Sequence, residues 1–117
     1  MAGNDRRGAS SAALSDLAFH ILLALRDGAG HGYEIGRKVE ELSEGRLDPT
    51  TGALYQALRR LVEDELIAHA EAPEGVDPRR KYVTLTRAGR RAVAEEAERL
   101  ERLVRVAKGE APLPGHV

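Results

Sequence analysis

One stretch of this chain, Leu66 to Leu85, breaks the helical spacing of its apolar residues and so decides which folds remain open. Residues Leu66 to Ala72 alternate weakly, Pro73, Gly75 and Pro78 punctuate a polar loop, and Lys81 to Leu85 alternate again with Val83 and Leu85 on one side. A period of two puts successive side chains on opposite faces of a strand, so the segment reads as a hairpin with a long tip. The periodic residues elsewhere recur every third or fourth position, which is helical spacing. The expected order is helix, helix, turn, helix, two-stranded hairpin, helix. That is the layout of a winged helix-turn-helix, a mainly α fold of the α+β kind.

The helices declare themselves by their caps and stops. Ser15 stands at an N-cap position with Asp16 in the first turn, and Leu14, Leu17, Ala18, Ile21, Leu22 and Leu25 recur until Gly28 ends the pattern. Phe19, Leu23 and Ala24 make this first helix apolar almost all round, more than a small domain buries unaided. The second helix follows the Gly28-Ala29-Gly30 turn, with Tyr33, Ile35, Val39 and Leu42 on its apolar face, and ends near Ser43 and Gly45. Asp48-Pro49-Thr50 is a break followed by a cap, which either Thr50 or Asp48 can supply to the orphan amides of the next helix. From Thr51 a third helix turns Leu54, Leu58, Leu61, Val62 and the stem of Glu65 inward. It turns Gly52, Gln56, Arg59, Arg60 and Glu63 outward, with Tyr55 on the border. Thr86 caps a fourth helix running to about Ala107, in which Val93, Ala97, Leu100, Val104 and Ala107 repeat with a four-three spacing that two helices can share. The chain thus divides into an arm (1–13), a winged helix-turn-helix (14–86), a dimerisation helix (87–107) and a tail (108–117).

Length and charge narrow the function. A chain of 117 residues holds one domain with a core. Its net charge of -1 confines any phosphate-binding surface to a local patch balanced by acids elsewhere. With no cysteine there are no disulfides, thiolate metal sites or cysteine nucleophiles. The longest apolar run, Ala18 to Leu25, is broken by His20 and falls far short of the ~20 residues of a membrane span. Nothing resembles a secretion signal, and a cytoplasmic protein is expected. His20, His31, His69 and His116 are scattered, and the pair His31 and Glu34 lacks the further ligands of a zinc site. No catalytic constellation and no phosphate loop is evident, so neither an enzyme nor a cofactor or metal is expected.

The outward face of the third helix carries the chemistry of base readout. Gln56 can pair with adenine and Arg59 with guanine or a phosphate, and Gly52 and Ala53 leave room for approach. Thr50 and Thr51 can offer hydroxyls to phosphate beside the free amides of the helix start, although as plain caps they need no ligand. Arg79-Arg80-Lys81 places three cations beside the hairpin tip, where Glu71, Glu74 and Asp77 partly offset them. Taken singly, each of these charges also reads as part of a solvated face. The competing reading is a winged-helix interaction adaptor that does not bind DNA, which the acidic balance favours.

Three ordered motifs then point to a family. His31-Gly32-Tyr33-Glu34-Ile35, the run from Gly52 through Tyr55, Gln56 and Arg59 to Leu61, and Arg80-Lys81-Tyr82-Val83-Thr84-Leu85-Thr86 with Gly89 resemble the signatures of the PadR-like transcriptional regulators, in its shorter branch with one C-terminal helix. The resemblance spans roughly Leu14 to Leu103. It implies a repressor that binds double-stranded DNA as a homodimer, at a two-fold symmetric operator. DNA contacts are expected from Thr50, Thr51, Gly52, Tyr55, Gln56, Arg59, Arg79, Arg80 and Lys81. The dimer is expected to join Leu17, Phe19 and Ile21 of the first helix to Val93, Ala97, Leu100 and Val104 of the last. Gln56 stands where many relatives carry proline, so base preference is not carried over there. No inducer is read from the residues: with three Tyr, one Phe and no Trp, an aromatic-walled pocket is poorly furnished, though Phe19 could line one.

Overall fold

The computed structural model describes residues 14–115 and contains four helices: α1 (Asp16–Ala24), α2 (Gly32–Leu42), α3 (Thr51–Glu63) and α4 (Arg87–Ala107). The arm expected over 1–13 and the last two residues of the expected tail lie outside the described residues. Three of the helices open in the same way. Ser15 Oγ accepts from the Ala18 N–H at 3.0 Å, Thr50 Oγ1 from Ala53 at 3.0 Å and Thr86 Oγ1 from Gly89 at 2.9 Å. Each bond satisfies an amide that has no partner within its helix, a contribution of about 0.5–2 kcal/mol.

The sheet has three strands where two were expected. Strand β1 (Gly30–His31), β2 (Ile67–Ala70) and β3 (Tyr82–Leu85) are ordered β1-β3-β2, all antiparallel, with Gly30 opposite Val83, His31 opposite Tyr82 and Ile67 opposite Leu85. The extra strand is two residues long, too short to carry a period, and only its pairing with β3 defines it. That pairing ties the start of α2 to the base of the hairpin. Thr86 closes the other side: its hydroxyl donates to the Glu65 carbonyl at 2.7 Å and its N–H to the Leu66 carbonyl at 3.1 Å.

The core forms where the three N-terminal helices meet the sheet. Ile21 and Leu22 of α1 and Leu25 at its C-cap interlock with Ile35 and Val39 of α2, with Leu54, Leu58 and Leu61 of α3 and with Ile67 of β2. Each such side chain, once withdrawn from water, contributes about 1.5–3 kcal/mol. Ile21 is 0% exposed and belongs to this core, so it has no surface left for a partner. Val93 also packs partly against the core. On α2 the apolar face is narrower than its period suggested. Ile35 and Val39 are buried, whereas Tyr33 is 71% and Leu42 50% exposed.

Glu65 is not on a helical face. Helix α3 stops at Glu63, and Glu65 takes a left-handed conformation (φ 63°) while the Leu66 N–H reaches back to the Leu61 carbonyl at 3.0 Å and the Glu65 N–H to Val62 at 2.9 Å. These two bonds close the helix end as a Schellman turn, and buried Leu66 beside buried Leu61 completes it. The chain is thereby redirected into β2.

Helix α4 is buried over its first half only. Gly89, Ala92 and Glu96 are its buried residues, and Gly89 lies so close under the Leu66 carbonyl that a Cβ there would collide with it. Beyond Glu96 the helix leaves its own core, with Leu103 50% and Val104 49% exposed. Residues 108–115 form no regular element.

Candidate nucleic-acid interface

The outward stripe of α3 follows from its period. Gly52, Tyr55, Gln56 and Arg59 are spaced three, four and seven residues from the first, so they lie on one face, and all four are exposed, as are Thr50 and Thr51 at the helix start. The stripe is anchored from behind by Leu54, Leu58 and Leu61. Gln56, Arg59 and Arg60 line a shallow polar groove that runs to Ser15 at the start of α1.

On the other side of the stripe, Tyr55 meets the wing. Tyr55, Arg79, Arg80 and Lys81 line one concavity of about 320 Å³ together with His31, Gly32 and Tyr33. Tyr55 and the basic segment, 24 or more residues apart in the chain, are therefore brought to one place, whereas Gln56 and Arg59 lie outside this concavity. Gly32 makes this possible: the Tyr55 ring lies where any Cβ at position 32 would be.

The cations of the wing are not equivalent. Arg79 is held by Asp77, whose carboxylate accepts from its guanidinium at 3.1 and 3.2 Å and from its backbone N–H at 2.9 Å. The side-chain bond from Arg79, then the backbone bond, hold the Asp77 carboxyl below its ordinary range. Arg80 instead turns inward and donates to Nε2 of His31 at 2.9 Å. Lys81, Arg59 and Arg60 form no ion pair among the described residues. The patch therefore presents cations to solvent even though the chain as a whole is slightly acidic.

His31, Gly32 and Tyr33 line this concavity without having been among the expected DNA contacts. Spacing sets Tyr33 on an apolar face and offers His31 only as half of an incomplete pair with Glu34, because it cannot show that the wing folds back over the start of α2. Among the described residues, no three His, Asp or Glu side chains gather to hold a metal ion. None of the described helices is long and apolar enough to cross a membrane.

The profile of the transcriptional regulator PadR-like family matches residues 21–95, close to two-thirds of the chain and all three of the motifs. The chain belongs to the PadR-like family of transcriptional regulators. That family is one of regulators and not of enzymes. Over 86 residues, 74% of this chain, it is 33% identical to the transcriptional regulator YqjI of Escherichia coli. Over 89 residues it is 38% identical to an uncharacterised 37.1 kDa protein in a transposon of Streptomyces fradiae. The chain spans 40% and 24% of the length of these two relatives. Its fold is shared with a PadR family transcription regulator from Clostridium difficile, with a TM-score of 0.71 and 25% identity over 81% of this chain and 97% of that one. Bacillus subtilis PadR, solved in complex with operator DNA, is similar with a TM-score of 0.59 and 24% identity, covering 88% of this chain and 52% of that one; at that identity the likeness is one of fold.

Proposed function

We propose that this PadR-like chain is a sequence-specific DNA-binding repressor that acts in the cytoplasm as a homodimer on an inverted-repeat operator. The observation that carries the reading is the convergence of Tyr55 on α3 with Arg79, Arg80 and Lys81 of the wing around one concavity, beside the exposed stripe of Gln56 and Arg59. A helix in the major groove with a basic hairpin on the adjacent backbone needs both elements on one side of the molecule. Gln56 and Arg59 are the base-reading side chains in this proposal. Thr50, Thr51, Tyr55 and the wing cations contact phosphates, with Gly52 giving the backbone room to approach. Bacillus subtilis PadR, which shares this fold, was solved in complex with operator DNA, and that supports DNA as the partner.

The dimer in this proposal is built on the free half of α4. Phe19 of α1 with Ala97, Leu100 and Val104 of α4 lines an open groove of about 880 Å³, flanked by exposed Leu103. A helix with this much uncovered apolar surface gains by packing against its counterpart, and Leu17 and Phe19 extend the contact. Residues 14–86 then serve as the DNA module and 87–107 as the dimerisation helix, with half-sites about 34 Å apart or a multiple of it.

Sequencing the genomic fragments that the purified protein retains tests the reading directly. An inverted repeat enriched among them, bound with an affinity that falls steeply with salt, is the expected result. Salt-insensitive association, or no enrichment, sinks it in favour of a protein-binding adaptor. Light scattering at micromolar concentration should report a dimer; a natively folded monomer contradicts the second half of the proposal.

A further inference from the structure

The segment 71–81 that carries the wing cations is held mostly by itself: the Val76 N–H bonds to the Pro73 carbonyl at 3.3 Å, the Arg80 N–H to the Asp77 carbonyl at 3.0 Å, and Arg79 forks onto Asp77. Among the described residues, the one side-chain hydrogen bond from this segment to the rest of the protein runs from Arg80 Nη1 to His31 Nε2, across 49 residues of sequence. His31 is well placed to be its fixed end. It is 8% exposed, its backbone is paired to Tyr82 in the sheet, and its ring stands edge-on to that of Tyr82 with centroids 5.2 Å apart. The Glu34 carboxylate, whose Oε1 lies 3.7 Å from Nε2, accepts from the His31 N–H at 3.3 Å. A guanidinium has no lone pair to offer, so in this bond Arg80 is the donor and Nε2 the acceptor.

We propose that His31 is a positioning residue for DNA: it holds the Arg80 guanidinium at the junction of α2 and the wing, beside Tyr33 and Tyr55, where a backbone phosphate of the duplex is received. This rests on the DNA-binding reading above. One of the five N–H donors of Arg80 is spent on His31, and the others remain for a phosphate. An arginine already ordered in the free protein forfeits less side-chain entropy when the phosphate arrives than one swinging from a mobile tip. The ligand chemistry is that of a phosphodiester and carries no base preference.

The test is a double-mutant cycle read by fluorescence anisotropy on a labelled duplex of mixed sequence at low salt, with melting by circular dichroism run on every variant. R80A is expected to weaken binding and to lower the salt slope by about 0.9 per subunit, the loss of one phosphate contact. H31L should weaken binding about 2- to 10-fold, as loss of a single positioning hydrogen bond does, and should add nothing in the R80A background. H31Q, whose amide oxygen can stand in for Nε2, should restore affinity in a protein of unchanged melting temperature. Should H31L not fold, H31N, polar but too short to reach Arg80, takes its place in the cycle. Additive effects of H31L and R80A, full affinity in H31L, or an H31Q as weak as H31L would each overturn the proposal while leaving DNA binding intact. A wild-type protein that ignores the duplex at low salt removes both.

Discussion

Tyr55 covers Gly32 so closely that no side chain fits between them: a Cβ on Gly32 would overlap the Tyr55 hydroxyl and its ring carbon Cζ. The contact joins the start of α2 to the outward stripe of α3 and sets the angle at which Tyr55, 47% exposed, faces the wing. Gly32→Ala is expected to cost about 0.5–1.5 kcal/mol despite the better helix propensity of alanine, since the half-exposed Tyr55 ring must be pushed off its rotamer. Tyr55→Ala should relieve most of that loss. Urea melts of the two single variants and the double variant measure it; equal costs of G32A with and without Tyr55 would refute the packing argument.

Glu65 takes a left-handed backbone conformation without being a glycine, at the turn that ends α3. Such a residue stores about 1–3 kcal/mol of backbone strain, and glycine has none to store. Its side chain is exposed, so little is forfeited by removing it. Glu65→Gly should therefore leave the fold more stable, or at worst unchanged, whereas Arg60→Gly, at an exposed position inside α3, should destabilise it by about 1 kcal/mol. Thermal melts of the pair decide the sign.

Glu96 is buried on α4 and bonded to Arg99, Arg99 Nε donating to Oε1 at 3.0 Å. That hydrogen bond, with the charge of Arg99 behind it, holds the Glu96 carboxyl below its ordinary value. A depressed carboxylate contributes stability at all pH values above its unfolded pKa, about 4.3, and the contribution disappears as pH falls through the lower folded value. Denaturation midpoints should drop on acidification through that window, and Glu96→Gln should flatten this part of the profile. Arg99→Met, which leaves a buried carboxylate without its partner, should destabilise more than Glu96→Gln at neutral pH and regain part of the difference in acid.

On the proposed reading, Asp77 competes with DNA for Arg79. Replacing it with Asn keeps an acceptor for the Arg79 N–H but removes the charge that faces the guanidinium. Asp77→Asn should bind duplexes of any sequence more tightly and with a steeper salt dependence, while Arg79→Ala does the reverse. Unchanged affinity in both variants would remove Arg79 from the interface.

Gln56→Ala should behave differently from any wing variant. A base-reading side chain affects one position of the operator, so its loss is expected to cost about 1–3 kcal/mol on the preferred sequence and little on others. Competition titrations against single-base operator variants measure this; a uniform loss across sequences would make Gln56 a backbone contact instead.

What the sequence determined was local. Ser15, Thr50 and Thr86 cap the helices they were expected to cap because a hydroxyl at an N-cap needs only the next three residues to act. The inward face of α3 and the strands around Ile67 and Val83 were legible because periods of 3.6 and 2 are properties of a few consecutive residues. The exposed stripe from Gly52 to Arg59 followed from the same period, and so did the free apolar edge of α4 around Val104. Tertiary structure alone decided the rest. Strand β1 exists because β3 lies beside it, and Ile21 is core rather than interface because three helices close over it. His31 meets Arg80 49 residues away, and Tyr33 lines the concavity beside them, because the hairpin folds back to the start of α2. Contacts between residues so far apart leave no periodic trace in the chain; they are fixed when the hairpin packs, and through them the wing is joined to the start of α2 and to Tyr55 of α3.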